Sequence, residues 1–337
     1  MVRAIGSLIA RREQPHQHGS DGMTTNSSPA SSGSFLLGGD LPVNRLGYGA
    51  MHLTGYGMWG PPRDKRNAIQ LLRHAVYELG INFIDTADSY GPGDNEEIIR
   101  KALHPYPEDL VICTKGGMLR SGKLDWIHDA PGAPYIQPLG DPRYLRQQVE
   151  LSLRRLRVDC IALYQLHSID PNVPLADSLG ELVRLQEQGK IRHIGLSNQP
   201  GVSIEQLVEA QKTARIVAIE NLYNVADRAD DAVLDFANRQ HIAFIPWFPL
   251  GHGGLVGPES ALTTIARPYE VTPSQLALAW LLHRSPAMLL IPGTTSIKHL
   301  KENASAAHVD LNAAEVRAIA EAVDRAGLPS WRPLRDT

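Results

Sequence analysis

A single (β/α)8 barrel is the fold class this sequence predicts. Extended apolar runs alternate with helical patterns from Leu46 to Arg325 without a break in composition. The runs are apolar at consecutive positions, as strands covered by helices on both faces must be, and eight strand-then-helix units favour a closed barrel over an open sheet. An open doubly wound sheet would also carry a glycine fingerprint at its first strand-to-helix turn. The one stretch with that spacing, GYGMWG at 55–60, runs into Pro61-Pro62 where a helix should open. No acidic residue closes a second strand at the expected distance, so the stretch reads as a glycine-rich loop with a surface tryptophan.

Three segments are expected: a disordered leader over 1–33, one barrel domain over 34–327 and a tail over 328–337. From His16 to Ser34 the leader is dominated by Ser, Gly, Asn, Gln and His, which bury too little apolar surface to offset the entropy of ordering. Arg11-Arg12 lacks a following apolar region, which argues against secretion, while the acid-free opening MVRAIGSLIARR leaves organelle targeting open and Met23 is an alternative start. SFLLGGDLPVN then reads as a hairpin turning on Gly-Gly-Asp and running into a first strand at Leu46–Met51. The further strands are INFIDTA, LVICTK, CIALYQLH, IRHIGLS, IVAIEN, IAFIPWF and MLLIP.

Between them lie helix signals. Asp64 opens a helix with Ile69, Leu72 and Val76 inward and Gly80 near its end. Asp141-Pro142 supplies an N-cap and a first-turn proline, and Leu145, Val149, Leu153 and Leu156 recur at helical spacing. Leu179, Leu182, Val183 and Gln186 trace another stripe that Gly189 stops.

Composition narrows the function classes. The chain has 337 residues, 43% hydrophobic and 20% charged, with a formal net charge of −3, so it offers no basic field for nucleic acid. No apolar run approaches the roughly 20 residues that span a bilayer. Cys113 and Cys160 each sit in a strand-like run without metal-ligand spacing and read as buried thiols in a reducing compartment, taken as the cytoplasm. No H-E-x-x-H spacing suggests a metal.

A barrel gathers the carboxyl ends of its strands at one face, where active sites are assembled. Three expected strands end in an ionisable group, Asp85, Lys115 and His167, and Tyr90 follows in the loop after the second strand. A carboxylate and an ammonium entering one apolar mouth should pair, because either alone would cost several kcal/mol to bury. An adjacent ammonium stabilises developing phenolate, so Tyr90 is expected to be acidified into a general acid while His167 polarises a carbonyl. Hydride from a nicotinamide would complete a reduction. A barrel hydrolase using His167 and Asp85 is the unrelated alternative.

FIDTADSYG, CTKGG, LYQLHSIDP, IRHIGLSN, FIPWFPLGHGGL and IPGTTSIKHLKEN, in that order, resemble the aldo-keto reductases over nearly all of residues 35–325. The resemblance implies a (β/α)8 barrel whose base is closed by a hairpin, NADPH bound without a Rossmann domain, and the tetrad Asp85, Tyr90, Lys115 and His167 in the roles above. It points to Ser197 and Asn198 for the carboxamide, Trp247 for stacking on the nicotinamide, and Pro249, Leu250 and Gly251 over the pyrophosphate. Gly49 and Met51 should lie close to the dinucleotide, and Gly293, Thr295, His299, Glu302 and Asn303 should grip its adenosine end.

Two positions depart from the family pattern. Glu220 replaces a usual glutamine, and a carboxylate accepts from the carboxamide but donates only when protonated. Gly293 replaces a basic residue, leaving Lys298, His299 and Lys301 for a 2′-phosphate, so NADH use stays open. Tyr56, Trp59 and Trp126 are the expected substrate walls, with Tyr135 beside them, and aromatic walls suit flat or apolar carbonyl compounds. The long loop 117–141 reads as a lid. A regulatory protein of the same fold, binding NADPH as a sensor, is the alternative within the family. The sequence names neither the carbonyl nor the oligomeric state.

Overall fold

A computed structural model describes residues 29–123, 136–199, 201–251, 255–257 and 260–328. Ser34–Leu37 (β1) and Leu41–Asn44 (β2) form the expected antiparallel hairpin, Leu37 facing Leu41. Its turn takes Gly38 and Gly39 through left-handed φ values of 63° and 87°, and a Cβ on Gly38 would lie 2.3 Å from the His193 ring. Glycine is therefore required at 38 on two counts.

The barrel strands are Tyr48–Gly49 (β3), Phe83–Asp85 (β4) and Val111–Gly116 (β5), then, after the short strands Met118–Arg120 (β6) and Ile136–Pro138 (β7), Ile161–Leu166 (β8), Ile191–Ser197 (β9), Ile216–Leu222 (β10) and Ala243–Trp247 (β11). They form one curled parallel sheet in the order β3-β4-β5-β8-β9-β10-β11. The eighth expected strand, MLLIP, is reduced to isolated bridges, Met288 to Phe244 and Leu290 to Leu46. Pro286 stands two residues before it and Pro292 ends it, and a residue without an N–H cannot extend a ladder. It still closes the ring, because Leu289 N donates to Phe244 O and Leu290 N to Arg45 O.

Leu37 and Val43 of the hairpin pack against Phe83, Val111, Leu163, Val217, Ala243 and Leu289 near the strand starts. This plug closes the base and leaves the opposite mouth for polar residues. Outside the sheet run Lys65–Arg73 (α1), Asp94–Leu103 (α2), Pro142–Leu156 (α3), Leu175–Glu187 (α4), Ile204–Gln211 (α5), Asp231–Arg239 (α6), Ala261–Ala266 (α7), Pro273–Arg284 (α8), Ile297–Ser305 (α9) and Ala313–Ala326 (α10). The Asp64 and Asp141 side chains cap α1 and α3 as expected, accepting from Asn67 N and from Arg143 N and Tyr144 N. Beyond α1 a π-turn over His74–Glu78 carries the apolar stripe on to Val76, and within the stripe Ile69 is only half-buried. All seven residues of β10 are buried, as double coverage demands.

Several expectations need correction. The expected leader lies largely outside the described residues, but Pro29–Ser32 form a 3-10 turn with Pro29 and Ser32 buried, and Arg45 Nη1 donates to Ser32 O. Cys113 is buried, whereas Cys160 precedes β8 and is exposed. The ends of the long loop are not structureless, since β6 pairs with β7, Arg120 facing Ile136. Trp59 is half-buried rather than on the surface. Trp126 and Tyr135 lie outside the described residues, as does the end of the expected tail. No helix among the described residues is long and apolar enough to cross a membrane.

Candidate active site

Asp85 closes β4 and Lys115 stands one residue from the end of β5, so parallel pairing of these strands sends both toward the mouth. Both are buried, and Lys115 Nζ donates to Asp85 Oδ1 at 2.5 Å and to Thr86 O at 3.1 Å. The loop carrying Tyr90 is tied down from α2. Thr86 Oγ1 donates to Asn95 Oδ1 at 2.6 Å, and Asn95 Nδ2 to Ala50 O at 2.8 Å. Neighbouring Glu96 takes Thr114 Oγ1 at 2.6 Å and Arg155 Nε at 2.5 Å. Held this way, Tyr90 packs among Met58, Ala87, Met51 and Ile136. Its ring lies 5.2 Å from Lys115 Nζ and meets the His167 ring edge-on at 5.8 Å. The structure thus brings all four expected tetrad side chains together.

Their electrostatics differ from the expectation in one respect. Burial raises the Tyr90 pKa above its ordinary value, and the Asp85 and Glu220 carboxylates push the same way; the Lys115 ammonium pulls it down but does not win. The phenol is therefore held protonated rather than acidified. Burial also depresses Lys115, yet Asp85 and Glu220 outweigh it and raise Lys115 well above its usual range. His167 is pushed well below its ordinary value by burial, then by Lys115 and Arg120, so its imidazole is neutral. Ser89 Oγ lies 3.3 Å from its Nδ1.

A cavity of about 390 Å³ opens beside this cluster, lined by Asp85, Tyr90, Glu220, Trp247, Gly293 and Thr295 among others. Gly49, Met51, Pro249 and Leu250 line it too, so most of the expected nicotinamide and pyrophosphate residues share one wall. At Gly49 a Cβ would come within 2.4 Å of Ile291 O, so glycine here lets the eighth segment close against β3. The remaining expected residues stand apart from this lining. Ser197 Oγ donates to Glu220 O at 3.4 Å, and Asn198 Oδ1 accepts from Ile169 N at 3.2 Å. Gly251 N donates to Phe248 O at 2.9 Å. Lys298 and His299 are exposed in the first turn of α9, Glu302 is half-buried and Asn303 buried further along it.

Tyr56 is exposed and lines an adjoining cavity of about 480 Å³ that shares Met51, His52 and Thr295 with the first. Trp59 lines neither. Sequence reasoning missed His52 and Phe248, which also line the smaller cavity. Phe248 has φ 53° although it is not glycine, a cost tolerated where a loop is aimed at a site; no sequence signal marks it. Arg120 was missed as well. It is buried and donates through Nη2 to Gly57 O at 2.7 Å, fastening the 55–60 loop. No cluster of metal-ligating side chains occurs among the described residues.

The Aldo/keto reductase family model matches residues 45–324, and the chain belongs to that family. It is 45% identical over 288 residues to pyridoxine 4-dehydrogenase of Escherichia coli, covering 84% of this chain and 95% of that one. It is 44% identical over 283 residues to an uncharacterized oxidoreductase of Schizosaccharomyces pombe, covering 84% and 88%. Among solved structures, glycerol dehydrogenase from Gluconobacter oxydans matches with a TM-score of 0.76 at 25% identity over 91% of this chain and 99% of that one.

Proposed function

We propose that the protein reduces an aldehyde or ketone to the alcohol, with NADPH as hydride source and Tyr90 as proton donor. The observation that carries this reading is a buried phenol whose ring lies 5.2 Å from Lys115 Nζ and edge-on to the His167 ring, on the lining of one cavity with Trp247 and Glu220. The cavity suits a nicotinamide: Trp247 offers an aromatic face, and the buried Asp85 Oδ2 has no hydrogen-bond partner. Met51, Trp247, Pro249, Leu250, Gly293 and Thr295 would hold the cofactor. Lys298 and His299, at the positive end of α9, would meet a 2′-phosphate. NADPH supplies the hydride when bound.

The chain's own residues handle the proton. Tyr90 donates its hydroxyl hydrogen to the carbonyl oxygen as charge develops there. Lys115, kept charged by its carboxylates, stabilises the phenolate left behind. If Ser89 Oγ donates to Nδ1, the neutral His167 ring holds its hydrogen on Nε2 and would offer it as a hydrogen bond to the same oxygen. Tyr56 offers an aromatic face to the adjoining cavity, and the relative named for pyridoxine places a heteroaromatic alcohol and its aldehyde in the test panel.

The test is NADPH oxidation against a panel of aromatic and heteroaromatic aldehydes. Turnover is expected with the wild-type protein, and Tyr90→Phe should lower kcat by about 10²–10⁴-fold while NADPH affinity is retained. Equal turnover by the variant would overturn the role of Tyr90, and absence of turnover across the panel would overturn the reaction.

A further inference from the structure

Glu220 is buried in the middle of β10, and its Oε2 lies 3.4 Å from Lys115 Nζ. Gln165 Nε2 donates to the same oxygen at 2.8 Å and fixes its direction. Asp85 already takes that ammonium at 2.5 Å, so one lysine faces two carboxylates. The charged or titratable groups around Glu220 are Asp85 of β4, Tyr90 of the following loop, and Cys113 and Lys115 of β5. Lys115 is the cation among them. When both carboxylates are ionised the cluster carries one excess negative charge out of water, a state that a cation entering the cavity would relieve.

We infer that Glu220 selects the oxidation state of the bound nicotinamide, its carboxylate favouring the cationic oxidised ring over the neutral reduced one. This rests on the cofactor reading of the cavity that Glu220 lines with Trp247. During carbonyl reduction two electrons and a hydrogen nucleus leave the cofactor as hydride for the carbonyl carbon, while the proton on the oxygen comes from Tyr90. A bound nicotinamide would become positive on giving up its hydride, so the Glu220 carboxylate on the cavity lining would favour that change and would then hold the oxidised form more tightly. A glutamine at this position, uncharged, would do neither.

The inference has a signature in proton linkage. Burial, then Asp85, raises the Glu220 carboxyl to about 7, with Lys115 opposing. Below that pH the group is neutral and indifferent to ring charge; above it the carboxylate attracts the cation. Binding of NADP+ should therefore strengthen relative to NADPH as pH rises through neutrality. Titration of the cofactor's 2′-phosphate cancels in the ratio of the two affinities.

The experiment is fluorescence titration of the full chain with NADP+ and with NADPH, in wild type and Glu220→Gln, from about pH 6 to 8.5. In the wild type the ratio Kd(NADPH)/Kd(NADP+) should rise by about tenfold across this range, on the scale of one charge pair near a protein site. In Glu220→Gln the ratio should be flat and about tenfold lower at the alkaline end. A wild-type ratio no higher than that of Glu220→Gln at the alkaline end, with both proteins binding both forms, overturns the inference alone, and Glu220→Ala supplies the same comparison should the glutamine variant not fold. Failure to bind either form overturns the cofactor reading with it.

Discussion

At the base of the barrel the Arg45 guanidinium donates to four backbone carbonyls, those of Ser32, Leu282, Ser285 and Met288, at 2.5 to 3.3 Å. At the mouth the Lys115 ammonium is instead contested by two buried carboxylates, and Asp85 Oδ2 has no hydrogen-bond partner. Each site keeps one unit of excess charge, but the half-buried guanidinium spreads its charge over four neutral acceptors, whereas the fully buried cluster at the mouth is left with an excess negative charge when both carboxylates are ionised. A guanidinium bonded to four carbonyls ties separate segments of the fold together, whereas a buried carboxylate with an orphaned oxygen marks a place built to receive something. The difference assigns stability to one end of the molecule and chemistry to the other.

Lys115→Met should break the contrast most severely. Asp85 and Glu220 would then repel each other in a buried site, at a cost of about 3–5 kcal/mol, read as a lower urea midpoint together with loss of carbonyl reduction. Adding Glu220→Gln to that variant should recover part of the stability and none of the turnover. An unchanged midpoint would mean that the two carboxylates are not in fact held charged.

Arg45→Ala tests the other end. Losing its carbonyl contacts should cost about 2–3 kcal/mol, with the NADPH affinity of the folded protein unaltered. A change in cofactor affinity would show that the base and the mouth are coupled, contrary to the division drawn above.

The smallest effect belongs to the hairpin tip. Asp40 accepts from Arg192 Nη2 at 2.7 Å and lies 2.6 Å from His193 Nε2, but it is 45% exposed. Its replacement by asparagine should cost no more than about 1 kcal/mol, as solvent screens such pairs. Burial works against the Asp40 carboxylate, but hydrogen bonds from Arg192 and His193 outweigh it and hold the carboxyl below the usual range. A depressed carboxyl stabilises above its unfolded pKa of about 3.9, and that contribution is lost as pH falls through the folded value. The gap between wild type and Asp40→Asn should thus close in acid, and a gap that persists there would assign the effect to packing at the turn.

Local signals made much of this legible. The caps at Asp64 and Asp141 were readable because an N-cap is satisfied within its own first turn. The tetrad was readable because each member stands at or just beyond a strand end, and the barrel brings such ends together whatever lies between them. The irregular eighth strand could have been anticipated from Pro286 and Pro292, but the apolar run MLLIP masks them. Cys160 looked buried because its run is apolar, and it is exposed because β8 begins one residue later.

The sequence by itself determined the succession of strands and helices and which residues stand at the carboxyl ends of the strands, since periodicity, caps and turns act over a few positions. The tertiary structure decided who touches whom. Closure of the ring carries Glu220 from β10 to Lys115 on β5, a meeting that no spacing announces. It also decided the sign of the Tyr90 shift, because desolvation depends on everything packed around a group, and here it outweighs the single ammonium that the sequence placed beside it.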